Sequence, residues 1–288
     1  MSATELFFLA FFILIVVVPM LRRRAVQFRR VAAIRGLERL RNSRVITLIH
    51  RQEALGLFGL PFYRFIDIED SERILRAIRL TPDEMPIDII VHTPGGLVLA
   101  AEQIAHALVR HSARVTVMIP HYAMSGGTLL ALAADEILVD PDAILGSLDP
   151  QLGQGFPASS IIAASEMKDR ELLEDATLIL LDQAHKAVSQ VRELVLSILR
   201  MKMEEERAVE LAGILTSGRF THDFALTVEK LAGLGIPVKA ELPQEVYDLM
   251  ELYPQPSFGR PGVEFIPEPY KPRREEPAVP RRGSSSGE

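Results

Sequence analysis

Two glycine pairs hold the residues of this sequence best placed to do chemistry. One is His92-Thr93-Pro94-Gly95-Gly96, the other Met124-Ser125-Gly126-Gly127. Each follows an apolar stretch rich in β-branched residues and precedes a helical pattern, so each is a strand-to-helix turn. A serine in such a turn presents its hydroxyl away from the sheet, and the glycines beside it let a substrate approach the backbone closely. Amides at a helix start can donate to a developing oxyanion. One hydroxyl and two sets of N–H groups converging on one carbonyl oxygen is the arrangement acyl transfer needs. A single Ser-Gly-Gly would read as an ordinary tight βα turn. Two such turns on consecutive βα units favour the chemical reading.

Other chemistries are excluded by what the sequence lacks. With no cysteine among its 288 residues, the chain has no thiol nucleophile, no disulfide framework and no Cys-ligated metal. His50, His106, His111 and His185 have no partner at metal-ligand spacing, and no HExxH helix is present. There is no phosphate-binding loop and no dinucleotide fingerprint. Neither metal nor cofactor is expected. An apolar content of 48% and a charged content of 24% suit a folded chain with a sizeable core.

The elements that must position the two turns alternate strand and helix. Strands are predicted at Val45–His50, Ile87–His92, Arg114–Ile119, Ile137–Val139 and Ala143–Leu145. Helices are predicted at Asp67–Leu80, with Asp70 or Ser71 as cap, at Leu97–Arg110 and at Gly126–Ala134. This rhythm argues an α/β fold with a largely parallel sheet. A long helical stretch is predicted over Asp169–Arg207, with Leu180, Ala184, Ala187, Val191, Leu194 and Ile198 at helical spacing.

The two ends differ from this body. Leu6 to Leu21 is an uncharged apolar run, at the lower limit for a spanning helix once Ala3 and Thr4 are added. Arg22, Arg23 and Arg24 follow it and no basic region precedes it, the reverse of a signal peptide's polarity. The expectation is an uncleaved anchor, residues 1–22, with the N-terminus outside and the rest cytoplasmic. Residues 1–44 hold nine arginines against Glu5 and Glu38, within a chain whose net charge is −6. The basic juxtamembrane helix, 23–44, is expected to meet anionic lipid rather than nucleic acid. The body is expected to run over 45–252. From 253 onward the proline-rich sequence reads as a disordered tail.

Taken in order, Pro94-Gly95-Gly96, Ser125-Gly126-Gly127, Ala133-Ala134-Asp135-Glu136-Ile137 and Gly146-Ser147 resemble the Clp-type serine peptidase superfamily, closest to its signal-peptide-peptidase-A-like branch. Within that branch, PHYAMSGGTLLALAADEI and LGSLDPQLG resemble the membrane-anchored serine dehydrogenase proteinase family. The similarity spans roughly residues 45–240. It implies a ClpP/crotonase-like spiral of ββα units, peptide-bond hydrolysis and a homo-oligomer. It implies Ser125 as nucleophile and the Gly95, Gly96 and Gly126 amides as oxyanion hole. The branch's lysine-before-aspartate pattern falls on Lys168-Asp169, making Lys168 the implied general base. Lys186 and His222 are alternatives, because the region from Gly146 to Pro150 lacks the histidine that ClpP uses. His121 and Asp149 are substrate-groove candidates. Substrates are expected to be peptides at the membrane, such as signal-peptide remnants. A catalytically inactive membrane scaffold and a crotonase-like acyl-CoA enzyme are the alternatives from other classes.

Overall fold

The computed structural model describes residues 2–51, 64–153 and 155–253. In chain order, α1 (Ala3–Phe12), one π-helical turn (Ile13–Val17) and α2 (Val18–Arg41) make one continuous helix, Ala3–Arg41. Then come β1 (Arg44–Ile49), α3 (Ile68–Arg79), β2 (Ile87–His92), α4 (Val98–Arg110) and β3 (Val115–Ile119). β4 (Tyr122–Ala123), α5 (Gly126–Leu132), β5 (Glu136–Val139) and β6 (Ile144–Leu145) follow, then a hairpin of β7 (Gln151–Leu152) and β8 (Phe156–Pro157). The remainder is α6 (Ala158–Glu166), α7 (Asp175–Leu199), α8 (Glu205–Thr216), α9 (Val228–Gly233), β9 (Val238–Lys239) and α10 (Gln244–Glu251).

The long strands form a parallel sheet in the order β1-β2-β3-β5-β9. Because side chains alternate along a strand, each central strand serves two cores. Ile89, Val91, Val117, Ile119, Ile137 and Val139 face one core with α4, α5, α7 and α8. Ile90, Met118 and Leu138 face the other, with Leu37 of α2 and Val246, Leu249 and Met250 of α10. This is why the strand segments read as continuous apolar runs.

A second, smaller layer positions the turns. β4 pairs with β6 in parallel, and Thr93 bridges to Ala123 beside it. Each unit thus runs from a main-sheet strand through a short second-layer segment into a turn and, for the first two, into a helix. The Pro94-Gly95-Gly96, Ser125-Gly126-Gly127 and Gly146-Ser147 turns all emerge from this layer. The fold is the ClpP-like α/β spiral of ββα units that the sequence implied.

Two expectations are corrected. The helix predicted over Asp169–Arg207 is broken: α7 ends at Leu199 and α8 starts at Glu205. The break lets Leu211 and Leu215 of α8 share the core with Leu194 and Ile198 of α7, which one straight helix would not allow. The cap of α3 is Asp67, whose side chain takes the Asp70 N–H while Asp70 returns the bond, a reciprocal capping box. α6 and the β7–β8 hairpin went unpredicted, their segments being too short for periodicity to speak.

The N-terminal helix is the one helix among the described residues long and apolar enough to cross a membrane. At 39 residues it is about 58 Å long. Its π turn lies where Pro19 lacks the N–H that would bond back to Ile15. Its basic end is not simply a collar. Leu37 is 1% exposed, Arg30 donates to the Leu252 carbonyl and stacks on Tyr253, and Arg41 pairs with the buried Asp88 of β2. The last three turns of α2 are a working part of the second core. Apart from Tyr253, the proline-rich tail expected from 253 onward lies outside the described residues.

Candidate active site

Ser125 caps α5 with φ 46° and ψ −114°, a conformation that non-glycine residues adopt only under strain, at about 1–3 kcal/mol. The surrounding packing holds it there. β4 delivers it from the second layer, the Gly127 N–H donates to the Met124 carbonyl at 2.7 Å, and the Leu129 N–H donates to the Ser125 carbonyl at 3.2 Å. Its neighbour turn comes so close that a Cβ on Gly95 would lie 2.8 Å from the Ser125 Cβ. A Cβ on Gly96 would fall 2.2 Å from the Ile66 carbonyl oxygen. The glycines are there because backbone meets backbone.

The donor inventory of the two turns is uneven. Among the described residues, neither the Gly96 N–H nor the Gly126 N–H is given to any acceptor. Both residues line one pocket with Ser125. The Gly95 N–H is already committed to Thr93 Oγ1, at 3.2 Å. The two unengaged amides, Gly96 and Gly126, are therefore the pair that can stabilise an oxyanion. Sequence reasoning counted Gly95 as a third donor and missed that the hydroxyl two residues earlier takes its proton.

The pocket has a volume of about 200 Å³. Its walls are largely apolar, with Val98, Leu129, Leu148 and Leu194 among them, and its polar groups besides the turns include Asp149 and His222. Asp149 follows β6, and His222 is brought to the pocket by the chain's return after α8. Leu145 and Leu226 exchange backbone bonds of 3.1 and 2.9 Å, and the Ser147 hydroxyl donates to the Thr221 carbonyl at 3.2 Å. Asp149 is 2% exposed. Its Oδ2 accepts from the Ser159 hydroxyl at 3.0 Å, while its Oδ1 and the Nδ1 of His222 are buried without a partner among the described residues. Burial raises the Asp149 carboxyl above its ordinary range, against the Ser159 bonds and the His222 charge, which pull it down. Buried polar atoms are normally paired. Two unpaired ones in the same pocket as a strained serine mark a functional site.

The lysines stand elsewhere. Lys168, just beyond α6, is exposed and is not among the residues lining this pocket. Lys186 is exposed on α7, where its Nζ pairs with Asp182 at 2.5 Å. His121 is exposed and stacks near His92 and Tyr122 instead of lining the pocket. The Nδ1 of His92 is buried without a partner among the described residues, and burial with the Arg51 and His121 charges lowers its pKa to about 3. Among the described residues no group of His, Asp and Glu could hold a metal ion.

Comparison with known proteins follows the geometry. Residues 1–279 match the family described as ClpP-like SDH-type serine proteinase. Two uncharacterized proteins of Methanocaldococcus jannaschii are similar over nearly the whole chain. One is 53% identical over 276 residues, 96% of this chain and 94% of its own. The other is 55% identical over 266 residues, 92% of each. Solved structures with some likeness include a lysine-to-alanine variant of a membrane-bound stomatin-specific protease in complex with a substrate peptide, at 19% identity and a TM-score of 0.42, over 64% of this chain and 74% of that one. ClpP1 from Listeria monocytogenes is similar at 16% identity and a TM-score of 0.43, over 69% and 92%.

Proposed function

The chain belongs to the ClpP-like SDH-type serine proteinase family, a family of serine peptidases, and we propose that it hydrolyses peptide bonds through an acyl-enzyme on Ser125, with His222 as general base and Asp149 as its partner. The observation that carries this reading is the strained Ser125 in one pocket with two unengaged amides and with the unpaired polar atoms of Asp149 and His222.

The chemistry runs as follows. Ser125 Oγ attacks the scissile carbonyl carbon as its proton passes to the His222 imidazole. The carbonyl oxygen becomes an oxyanion and accepts from the Gly96 and Gly126 N–H groups. Asp149 accepts from the imidazolium and offsets its charge. Collapse breaks the C–N bond, and the imidazolium returns its proton to the leaving amine. Water then attacks the ester with His222 again as base, and the acid and free Ser125 are released. The base role goes to His222 in preference to Lys168 or Lys186, because a base must come within about 2.6–3.2 Å of the hydroxyl and neither lysine lines the pocket.

Apolar pocket walls favour a medium-sized apolar side chain beside the cleaved bond. The N-terminal helix is taken to span a membrane with Arg22, Arg23 and Arg24 on the cytoplasmic side, which places the site where membrane-associated peptides and signal-peptide remnants emerge. The arginines that do not pack on the body are left to anionic lipid. Self-association is part of the reading, and the exposed Met167, Leu172 and Ile179 offer apolar surface for it.

Fluorophosphonate labelling with mapping of the modified residue tests the nucleophile. The label is expected on Ser125 and absent from Ser125→Ala. A label elsewhere, or one that survives the substitution, contradicts the reading and favours an inactive scaffold or another chemistry on the same fold.

A further inference from the structure

A second polar group lies behind the oxyanion turn, built from three elements that the mechanism above does not use. His50 follows β1 and is 3% exposed, Asp70 is in the first turn of α3, and Thr93 follows β2 and is fully buried. His50 Nε2 is 3.1 Å from Asp70 Oδ2, and His50 Nδ1 is 2.9 Å from Thr93 Oγ1. Thr93 Oγ1 is in turn the acceptor for the Gly95 N–H at 3.2 Å.

Donor counting fixes the proton at the Asp70 contact. Burial alone would raise the Asp70 carboxyl, but the bonds from His50 and the Asp67 backbone outweigh it and hold the group below its ordinary range. A carboxylate only accepts, so the proton at that contact is on His50 Nε2. The Thr93 hydroxyl faces both His50 Nδ1 at 2.9 Å and the Gly95 carbonyl at 3.3 Å. In either arrangement Thr93 Oγ1 keeps a lone pair for the Gly95 N–H.

The turn needs such a hold. Gly95 has φ 105°, and two consecutive glycines leave their shared peptide free to rotate at little cost. Rotation would carry the Gly96 N–H out of the pocket. The Ile66 N–H on the Gly95 carbonyl at 2.7 Å fixes one side of that peptide, and the Leu97 N–H on the Ile66 carbonyl at 2.8 Å fixes the segment after it. The relay holds the peptide before it, through the Gly95 N–H on Thr93 Oγ1, so that both peptides flanking Gly95 are tied down.

We propose that Asp70, His50 and Thr93 are positioning residues for the oxyanion turn: their hydrogen-bonded chain holds the Gly95 N–H on Thr93 Oγ1 and so keeps the Gly96 N–H available to the Ser125 pocket. The inference rests on the reading of that pocket as a peptidase site. Oxyanion donors act chiefly in the transition state, so disturbing their support lowers kcat and leaves KM nearly alone. The isosteric Thr93→Val keeps the methyl that packs near Gly127 but removes the hydroxyl.

The test is steady-state hydrolysis of a fluorogenic apolar peptide by the full chain. Thr93→Val is expected to lose about 10–100-fold in kcat with KM within about twofold, and to lose affinity for a peptide aldehyde by a similar factor. Thr93→Ser is expected to recover most of the rate. Should Thr93→Val fail to fold, Asp70→Asn, which disturbs the His50 tautomer, is expected to lower kcat with the same unchanged KM. Wild-type kcat in the folded Thr93→Val or Asp70→Asn protein overturns the inference. So does a Thr93→Ser variant as slow as Thr93→Val, which would make the methyl the important group. Hydrolysis that survives Ser125→Ala overturns the reading of Ser125 as the nucleophile, a separable outcome, and this inference falls with it.

Discussion

Replacing Gly96 by alanine perturbs the site with one methyl group. The added Cβ would lie 2.2 Å from the Ile66 carbonyl oxygen and 2.3 Å from the Ile66 nitrogen. Both are backbone atoms held by the turn's own hydrogen bonds, so the contact cannot be relieved by a rotamer change. Restoring ordinary separation requires a shift on the order of 1 Å, the difference between those distances and normal carbon contacts near 3.5 Å. An oxyanion donor must lie within about 2.7–3.1 Å of its target, and loss of one donor costs about 10²–10³ in kcat, or about 2.7–4 kcal/mol. Gly96→Ala is therefore expected to cut kcat by about two orders of magnitude. Overpacking should also take about 1–3 kcal/mol of stability. Gly36→Ala is the control. Nothing lies within 4 Å of its Cβ position in α2, and helix propensity favours alanine by about 0.8–1 kcal/mol, so its Tm should rise slightly at unchanged rate. The assay is kcat and KM on a fluorogenic peptide beside thermal melting. A Gly96→Ala protein with wild-type kcat would refute the placement of the oxyanion donor.

Other outcomes follow from the same geometry. Leu37→Ala should cost about 2–5 kcal/mol in denaturant unfolding in detergent, because it opens a cavity between α2 and α10; a surface-like change below 0.5 kcal/mol would mean that α2 does not belong to the core. His92 has its pKa depressed to about 3, so its contribution to stability is full above about 6.5 and is lost as pH falls toward 3. His92→Phe should flatten the acid side of the Tm–pH curve, and an unchanged slope there would contradict a buried neutral ring. Asp149 has a raised carboxyl pKa, so its burial favours the fold at low pH and weighs against it as pH rises through the folded value. Asp149→Asn should raise Tm at neutral pH while lowering kcat, and a fall in Tm would argue that the charge is compensated in the fold.

How much of this could be read from residues alone depends on how local each feature is. The parallel strands were legible because both faces are buried and the runs Ile87–His92 and Val115–Ile119 are mostly apolar and β-branched. The Ser125 turn was legible because Ser-Gly-Gly between a strand and an apolar helix is a local signal. The base was not. His222 lies far from Ser125 in sequence and reaches the pocket through the Leu145–Leu226 pairing and the Ser147–Thr221 bond, which no periodicity encodes. Resemblance pointed to Lys168 on its lysine-before-aspartate pattern, whereas packing leaves that side chain exposed. The His50–Asp70–Thr93 relay was invisible for the same reason, since it joins the ends of three elements. The packing of α2 was hidden by composition: its arginines advertised a lipid surface while Ala33, Ile34 and Leu37 supplied a core face.

The central claim is that His222, and not a lysine, activates Ser125. Its most direct test is the rate of peptide hydrolysis by His222→Ala beside Lys168→Ala, each in the full chain and each checked for wild-type melting. The account predicts that His222→Ala loses about 10³-fold or more in kcat, while Lys168→Ala stays within about twofold of the unsubstituted protein. Near-wild-type hydrolysis by His222→Ala, with activity abolished in Lys168→Ala, would contradict it.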